Sequence, residues 1–168
     1  MTAVSLDGRL DVHFTLNGNP VSVATTTNRV LADLLRDDLY LKGTKIACGR
    51  TVCGACNVLV DGTPRASCST FAFEVDGCAV TTIEGLESSE GLDPVQAAFA
   101  RKSAFQCGFC TSGMIVLAKG LLAENPDPDR ATIKDWISSN VCRCTGYQLI
   151  IEAIEEAAAA MRTAGGAR

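Results

Sequence analysis

A single histidine, His13, is all that this sequence contains. A Ser/His/Asp catalytic set, a Cys2His2 zinc site and a Rieske-type iron centre all need histidine beside their other groups. His13 lies in a strand-like stretch far from every cysteine cluster, so all three are excluded. No glycine-rich phosphate loop is present. Nor is there a basic cluster: the net charge is −4, and nothing could neutralise a run of phosphates, so nucleic acid is not an expected partner. Apolar stretches are interrupted well short of a membrane span. The N-terminal "MTAVSLDGRL" lacks the apolar core of a secretory signal. The expectation is a soluble, cytoplasmic protein. Hydrophobic residues at 47% and charged residues at 20% favour a packed core over disorder.

What is abundant is cysteine. Nine occur, and they divide as four, four and one. In a reducing cytoplasm disulfides are rare, and clustered cysteines more often hold metal. Cys48, Cys53, Cys56 and Cys68 follow C-x4-C-x2-C-x11-C. All-thiolate sets leave zinc or iron–sulfur. Structural zinc usually shows two C-x2-C knuckles, whereas C-x4-C-x2-C…C is the plant-type [2Fe–2S] spacing. Such a loop must aim backbone N–H groups at sulfur. Gly43, Gly49 and Gly54 are expected to supply the positive φ angles and the close approach this requires. The second set, Cys107, Cys110, Cys142 and Cys144, reads C-x2-C-x31-C-x-C and on its own leaves zinc open. Beside the first set, two iron–sulfur clusters are the better reading, and two redox centres in one short chain make an electron wire. Cys78, the ninth, is expected to pack in a strand.

Residues 10–26 read as a hairpin about "NGNP". "NRVLADLLRDDLYL" has helical spacing, and "NVLVDG" is a strand entering an Asp61-Gly62 turn. "FAFEV" and "CAVTTI" about Asp76-Gly77 predict a second hairpin. Residues 84–94 read as a polar linker, after which the pattern turns helical. Asp93, Pro94 and Gln96 form a helix start with a capping box. "VQAAFARKSAF", "TSGMIVLAKGLLAENP", "ATIKDWISSN" and Tyr147 to about Arg162 predict four helices, the last a solvated surface fraying at its glycines. Trp136, at helical spacing, is expected in the core. "CGFCTSG" and "CRCTGY" each place a cysteine pair between two helices, so facing helix–loop–helix units would gather four sulfurs. The fold class is therefore α+β, with units at 1–84 and 85–168.

The stretches "KGTKIACGRTVCGAC", "TIEGL", "QCGFCTSGM" and "NVCRCTGY", in this order, resemble the iron–sulfur subunits of molybdenum hydroxylases, relatives of xanthine oxidase and aldehyde oxidoreductase. The likeness covers nearly the whole chain. Ser112 departs from it, where many members carry proline. The resemblance implies a β-grasp, plant-type ferredoxin-like domain with Cys48, Cys53, Cys56 and Cys68 on one [2Fe–2S] cluster. It implies a four-helix domain with Cys107, Cys110, Cys142 and Cys144 on another. By matching position, Gln106 and Cys144 would lie closest to a molybdopterin, expected in its cytosine dinucleotide form, in a large partner subunit. FAD would sit on a medium subunit, the whole being a dimer of heterotrimers. Such an assembly hydroxylates carbon with oxygen from water and passes electrons through both clusters to FAD, so this chain would not itself be catalytic. Without the resemblance, Gln106 reads as a residue capping or solvating a loop. The general likeness in "GRTVCGACNVLVDG" leans towards an N-heteroaromatic substrate such as a quinoline or pyridine, with carbon monoxide, aldehydes and purines open. The alternatives are a free-standing two-cluster ferredoxin and a two-site zinc interaction module.

Overall fold

The computed structural model describes residues 9–89 and 91–165. Leu10, Val12, Phe14 and Leu16 alternate with exposed polar residues, and β1 (Arg9–Leu16) accordingly buries one face. It turns through Asn17 and Gly18, at φ 50° and 81°, into β2 (Asn19–Thr26). Two positive φ angles in a row are what a two-residue hairpin matching strand twist requires. Asp61 and Gly62, at 49° and 81°, repeat the device between β3 (Asn57–Val60) and β4 (Thr63–Ala66). The sequence pattern gives no strand signal for β4. Its Pro64 gives no donor to a ladder, and β4 is an edge strand, where proline is tolerated.

The expected second hairpin does not form. Asp76 has φ −59° and ψ 123°, and Gly77 has φ 77°, which is a type II turn and splays flanking strands. "FAFEV" is instead a 3-10 turn, Ala72–Val75, that buries Ala72 and Val75 and leaves Phe71 and Phe73 stacked outside. Burial three residues apart is the 3-10 period, not the strand period. The chain then enters β5 (Ala79–Thr81), which pairs parallel to β1 and antiparallel to β3. The sheet order is β2-β1-β5-β3-β4.

The helix expected over "NRVLADLLRDDLYL" is also shorter. After α1 (Leu31–Asp33) the chain widens into a π turn, Leu34–Asp38, with Leu39 N–H donating to Leu34 O at 3.0 Å. That widening keeps Leu31, Leu34 and Leu35 all against the sheet, each fully buried. Arg29 braces the turn from outside, on the carboxylates of Asp38 and Asp37.

The expected polar linker of residues 84–94 is anchored at its first residue. The Glu84 carboxylate accepts from Gly43 N–H at 2.7 Å and from the Thr82 hydroxyl at 2.6 Å, while Thr82 N–H donates to Asn17 at 2.9 Å. One side chain thus ties the N-terminal turn of the cysteine loop to the entry of the second half. Four helices follow among the described residues: α2 (Pro94–Arg101), α3 (Thr111–Glu124), α4 (Arg130–Ile137) and α5 (Gln148–Gly165). The capping box at Asp93 and Gln96 is present. Helix α2 stops short of the expected "KSAF" because Ser103, at φ 51°, takes the left-handed conformation that ends helices. Helix α5 continues through Gly165, the first glycine at which fraying was expected, and Gly166 lies outside the described residues. Phe99, Met114, Leu121, Ile133, Ile150 and Ile154 form the helical core, with Trp136 packed on it and donating to Leu117 O at 3.0 Å.

The two cores meet along α3. Gly120 lies against Pro64 and Leu59, and Gly113 against the backbone of Gly54 and Ala55. A helix face of small residues lets backbone approach backbone, so α3 covers the outer face of the β3–β4 hairpin and carries the second cysteine pair up to the first loop.

Candidate metal centres

The first cysteine loop is held open by backbone conformation. Gly49, Thr51 and Gly54 all adopt the left-handed region, at φ 63°, 65° and 68°. Thr51 is β-branched, and such a residue there is strained, by about 1–3 kcal/mol. Gly43 serves differently from the expectation: its φ is not positive, but a Cβ would strike Ile83 and Glu84. The loop turns the Arg50 N–H onto Cys48 Sγ at 3.4 Å, and this bond, with help from the Cys53 backbone, holds the Cys48 thiol down at about 6. Cys56 and Cys68 lie inward against Ala32 and Ala66. Burial pushes Cys56 up to about 11, with Cys68 beside it. Ser67 fixes this inner pair: its hydroxyl donates to Cys56 O at 2.7 Å, and its own carbonyl accepts from Ala32 N–H at 3.0 Å.

The second set is built from two loops. Gly108, at φ 79°, lets Cys107 and Cys110 straddle the turn that opens α3, and Cys110 stands at the helix start. Gly146 and Tyr147, at φ 64° and 67°, reverse the chain between α4 and α5 to present Cys142 and Cys144. The Tyr147 hydroxyl accepts from Cys142 N–H at 2.7 Å and donates to Asn140 O at 3.2 Å, which pins the loop at both ends. The Thr145 hydroxyl donates to Cys142 Sγ at 3.1 Å. Burial raises the Cys142 thiol, but this hydroxyl and the Cys144 and Thr145 backbone outweigh it, and the net shift is downward. Cys110, desolvated and next to Cys142, is pushed up to about 12. Outside them, Cys107 and Cys144 are exposed, with sulfurs 3.6 Å apart.

Sulfur therefore comes in pairs: Cys48 with Cys53, Cys56 with Cys68, Cys107 with Cys144, and Cys110 with Cys142. Among the described residues, no three histidine, cysteine or acidic side chains converge on one metal-sized point. In the second set the two pairs lie around one cavity. All nine cysteines are free thiols. Cys78 packs at the edge of the sheet core, away from both sets, its thiol raised by burial and by Asp61. Gln106 is exposed beside Cys107, and its side chain makes no hydrogen bond among the described residues. A shallow cavity of about 190 Å³ is lined by Cys53 from the first set and Cys107, Cys110, Cys142 and Cys144 from the second. Across it Val141 N–H donates to Cys53 O at 2.9 Å. The two sets meet at this point.

Residues 82–155 match the family model described as a [2Fe-2S] binding domain. The small subunit of nicotine 6-hydroxylase from Paenarthrobacter nicotinovorans is 44% identical over 157 residues, 94% of each chain. The chain belongs to the iron–sulfur small subunits of the molybdenum hydroxylases. Among solved structures, quinoline 2-oxidoreductase from Pseudomonas putida 86 superposes with a TM-score of 0.89 at 44% identity, over 93% of this chain and 98% of that one. The aldehyde oxidoreductase from Desulfovibrio desulfuricans superposes at 0.87 with 40% identity, over 91% of this chain but 17% of that one. The small subunit is thus α+β, a ferredoxin-like five-stranded sheet followed by a helical [2Fe–2S] domain, and it serves electron transfer within a multi-subunit molybdenum oxidoreductase. No helix among its described residues is long and apolar enough to cross a membrane.

The eight cysteines singled out by spacing fall in these four pairs, and the residues that position them are a separate matter. Tyr147, Thr145, Ser67 and Glu84 act through side-chain bonds to backbone or sulfur across a turn or across the fold. Of these, Ser67, Thr145 and Tyr147 stand close enough to a cysteine motif to have been signalled by it, and Glu84 does not.

Proposed function

We propose that Cys48, Cys53, Cys56 and Cys68 hold one [2Fe–2S] cluster and Cys107, Cys110, Cys142 and Cys144 a second. The pairing of sulfurs carries this reading. A two-iron cluster would take two thiolates on each iron, hence thiols in pairs, whereas structural zinc takes four equivalent donors about one point. When bound, such clusters supply reversible one-electron storage. The chain's own residues do the rest. Arg50 N–H and the Thr145 hydroxyl donate to ligand sulfurs, the buried sides of Cys56 and Cys110 exclude water, and the Val141–Cys53 bond joins the two loops. The division between the two units falls at 84/85, beside the Glu84 tie.

In the same reading the chain carries electrons from its Cys107–Cys144 edge to its Cys48–Cys53 edge. The first edge faces a large subunit holding molybdopterin, in the cytosine dinucleotide form, with Gln106 and Cys144 nearest the pterin. The second faces a medium subunit holding FAD. Exposed apolar residues flank both edges and support burial there: Phe105, Phe109 and Val141 at one, Ile46 and Val52 at the other. The assembly is a cytoplasmic dimer of heterotrimers that hydroxylates an N-heteroaromatic ring with oxygen from water. Similarity to a nicotine 6-hydroxylase and a quinoline 2-oxidoreductase, each over nearly its full small chain, supports that substrate class.

Metal analysis tests the ligand assignment. About four irons and about four acid-labile sulfides per chain are expected. Cys53→Ser should remove about half of both, and Cys78→Ser should remove none. Stoichiometric zinc without labile sulfide would end the reading. Native purification should bring two larger chains, and an active monomer would point to a free ferredoxin instead.

A further inference from the structure

Asn140 is fully buried, and neither atom of its side-chain amide, Nδ2 or Oδ1, has a hydrogen-bond partner among the described residues. A buried polar group left unpaired is costly, and an apolar residue would relieve that cost at a position that served only packing. The placement is nonetheless tightly built. Asn140 N–H donates to Ile137 O at 3.0 Å, its carbonyl accepts from the Tyr147 hydroxyl at 3.2 Å, and the next N–H, of Val141, donates to Cys53 O. The side chain itself lies on Gly54, between Cys53 and Cys56. A Cβ on Gly54 would stand 2.7 Å from Asn140 Cγ and 2.8 Å from Oδ1, so the glycine leaves room for the amide. Two further buried, unpaired atoms, Thr111 Oγ1 and Ser112 Oγ, stand on the residues before Gly113, which packs on the same Gly54. The orphaned amide of Asn140 thus lies directly on a glycine of the first cysteine loop.

No thiol of the chain accepts from Asn140 Nδ2. Its acceptor is therefore an atom that the chain does not supply. We propose that Asn140, carried by the loop of the second cysteine set, donates its side-chain N–H to a bridging sulfide of the centre on the first set and so sets that centre's reduction potential. This rests on the two-cluster reading above. Adding one electron to an all-sulfur centre adds one negative charge and neither makes nor breaks a bond. A donor aimed at sulfur stabilises that charge and raises the potential, and hydrogen bonds to sulfur are among the determinants of cluster potential. Through Asn140 the loop of the second set thus adjusts the centre on the first.

The test is a redox titration of the assembled holoprotein followed by electron paramagnetic resonance, with the two signals assigned by Cys53→Ser and Cys142→Ser. Asn140→Leu keeps the branching of the side chain, with larger methyl ends, and removes the donor. Iron and sulfide should remain full, and the midpoint of the first centre should fall while that of the second changes less. Equal midpoints at full iron content would overturn the proposal and leave Asn140 as a residue satisfied by a buried water. Should Asn140→Leu not assemble, Asn57→Asp protein carrying 15N only in its asparagine side-chain amides answers the same question. The reduced first centre should then show a weak 15N coupling, and its absence overturns the proposal. Protein devoid of iron and sulfide in every form would defeat the two-cluster reading instead, so the two failures are distinguishable.

Discussion

At the scale of single residues, the paired thiols are made unequal by their surroundings. Arg50 N–H holds Cys48 near 6, whereas burial drives Cys56 to about 11 and Cys110 to about 12. In the iron-free chain at pH 7, Cys48 is above its own pKa and largely thiolate, while Cys56 and Cys110 are far below theirs and stay protonated. Because the thiolate is the nucleophile, iodoacetamide should modify Cys48 first and Cys110 last. The Cys48 rate should fall as pH drops through about 6. Peptide mass spectrometry over a pH series checks this, and equal rates for the three would contradict the hydrogen-bonding account of the loop. The cysteines themselves were legible in the sequence because ligand spacing is a local property. Thr51 was not, since nothing in its side chain announces a left-handed backbone that only the closed loop imposes. Asn140 stands in "NVCRCTGY" for anyone to see, yet its orphaned amide exists only once two distant loops have met.

At the scale of elements, what could be read ahead was whatever a few neighbouring residues decide. The hairpin at Asn17-Gly18 and the start of α2 at Asp93 are of this kind. The type II turn at Asp76-Gly77 and the π turn at Leu34–Asp38 are not, because each is selected by what it packs against: β5 has to slip between β1 and β3, and three leucines have to face one sheet. Asp93 illustrates how a local signal gains a tertiary role. Its Oδ1 accepts from Val95 N–H at 2.9 Å, and its Oδ2 pairs with Lys119 on α3, so one carboxylate caps α2 and clasps its neighbour. Asp93→Ala removes both. A loss of about 1–3 kcal/mol is expected, roughly a cap plus a partly buried ion pair. Denaturant unfolding followed by circular dichroism measures it. Asp93→Asn, which keeps the cap and loses the charge, should recover the larger part.

For the whole molecule, the decisive contact is the one between halves that sequence reading treated as separate units on a polar linker. The α3 face is glycine where it crosses the first half, and backbone meets backbone at Gly113 and Gly54. In an ordinary exposed helix, Gly→Ala would add stability, about 1 kcal/mol. Here the added methyl would strike the Gly54 carbonyl, which belongs to the loop between Cys53 and Cys56 and has no side-chain freedom with which to yield. Gly113→Ala should therefore destabilise, by about 1–3 kcal/mol as overpacking does. It should also push the two cysteine loops apart. Gly120→Ala is the control: its methyl would strike Pro64, at the far hairpin, so a comparable loss of stability should leave the loops in place. Amide hydrogen exchange of Val141, whose N–H donates to Cys53 O, separates the two effects. Exchange at Val141 should accelerate in Gly113→Ala beyond what its global stability accounts for, and in Gly120→Ala only by the global amount. If both variants lose protection there equally, the junction is no more sensitive to α3 than the rest of the fold, and the close approach at Gly113 serves packing without setting the path between the two centres.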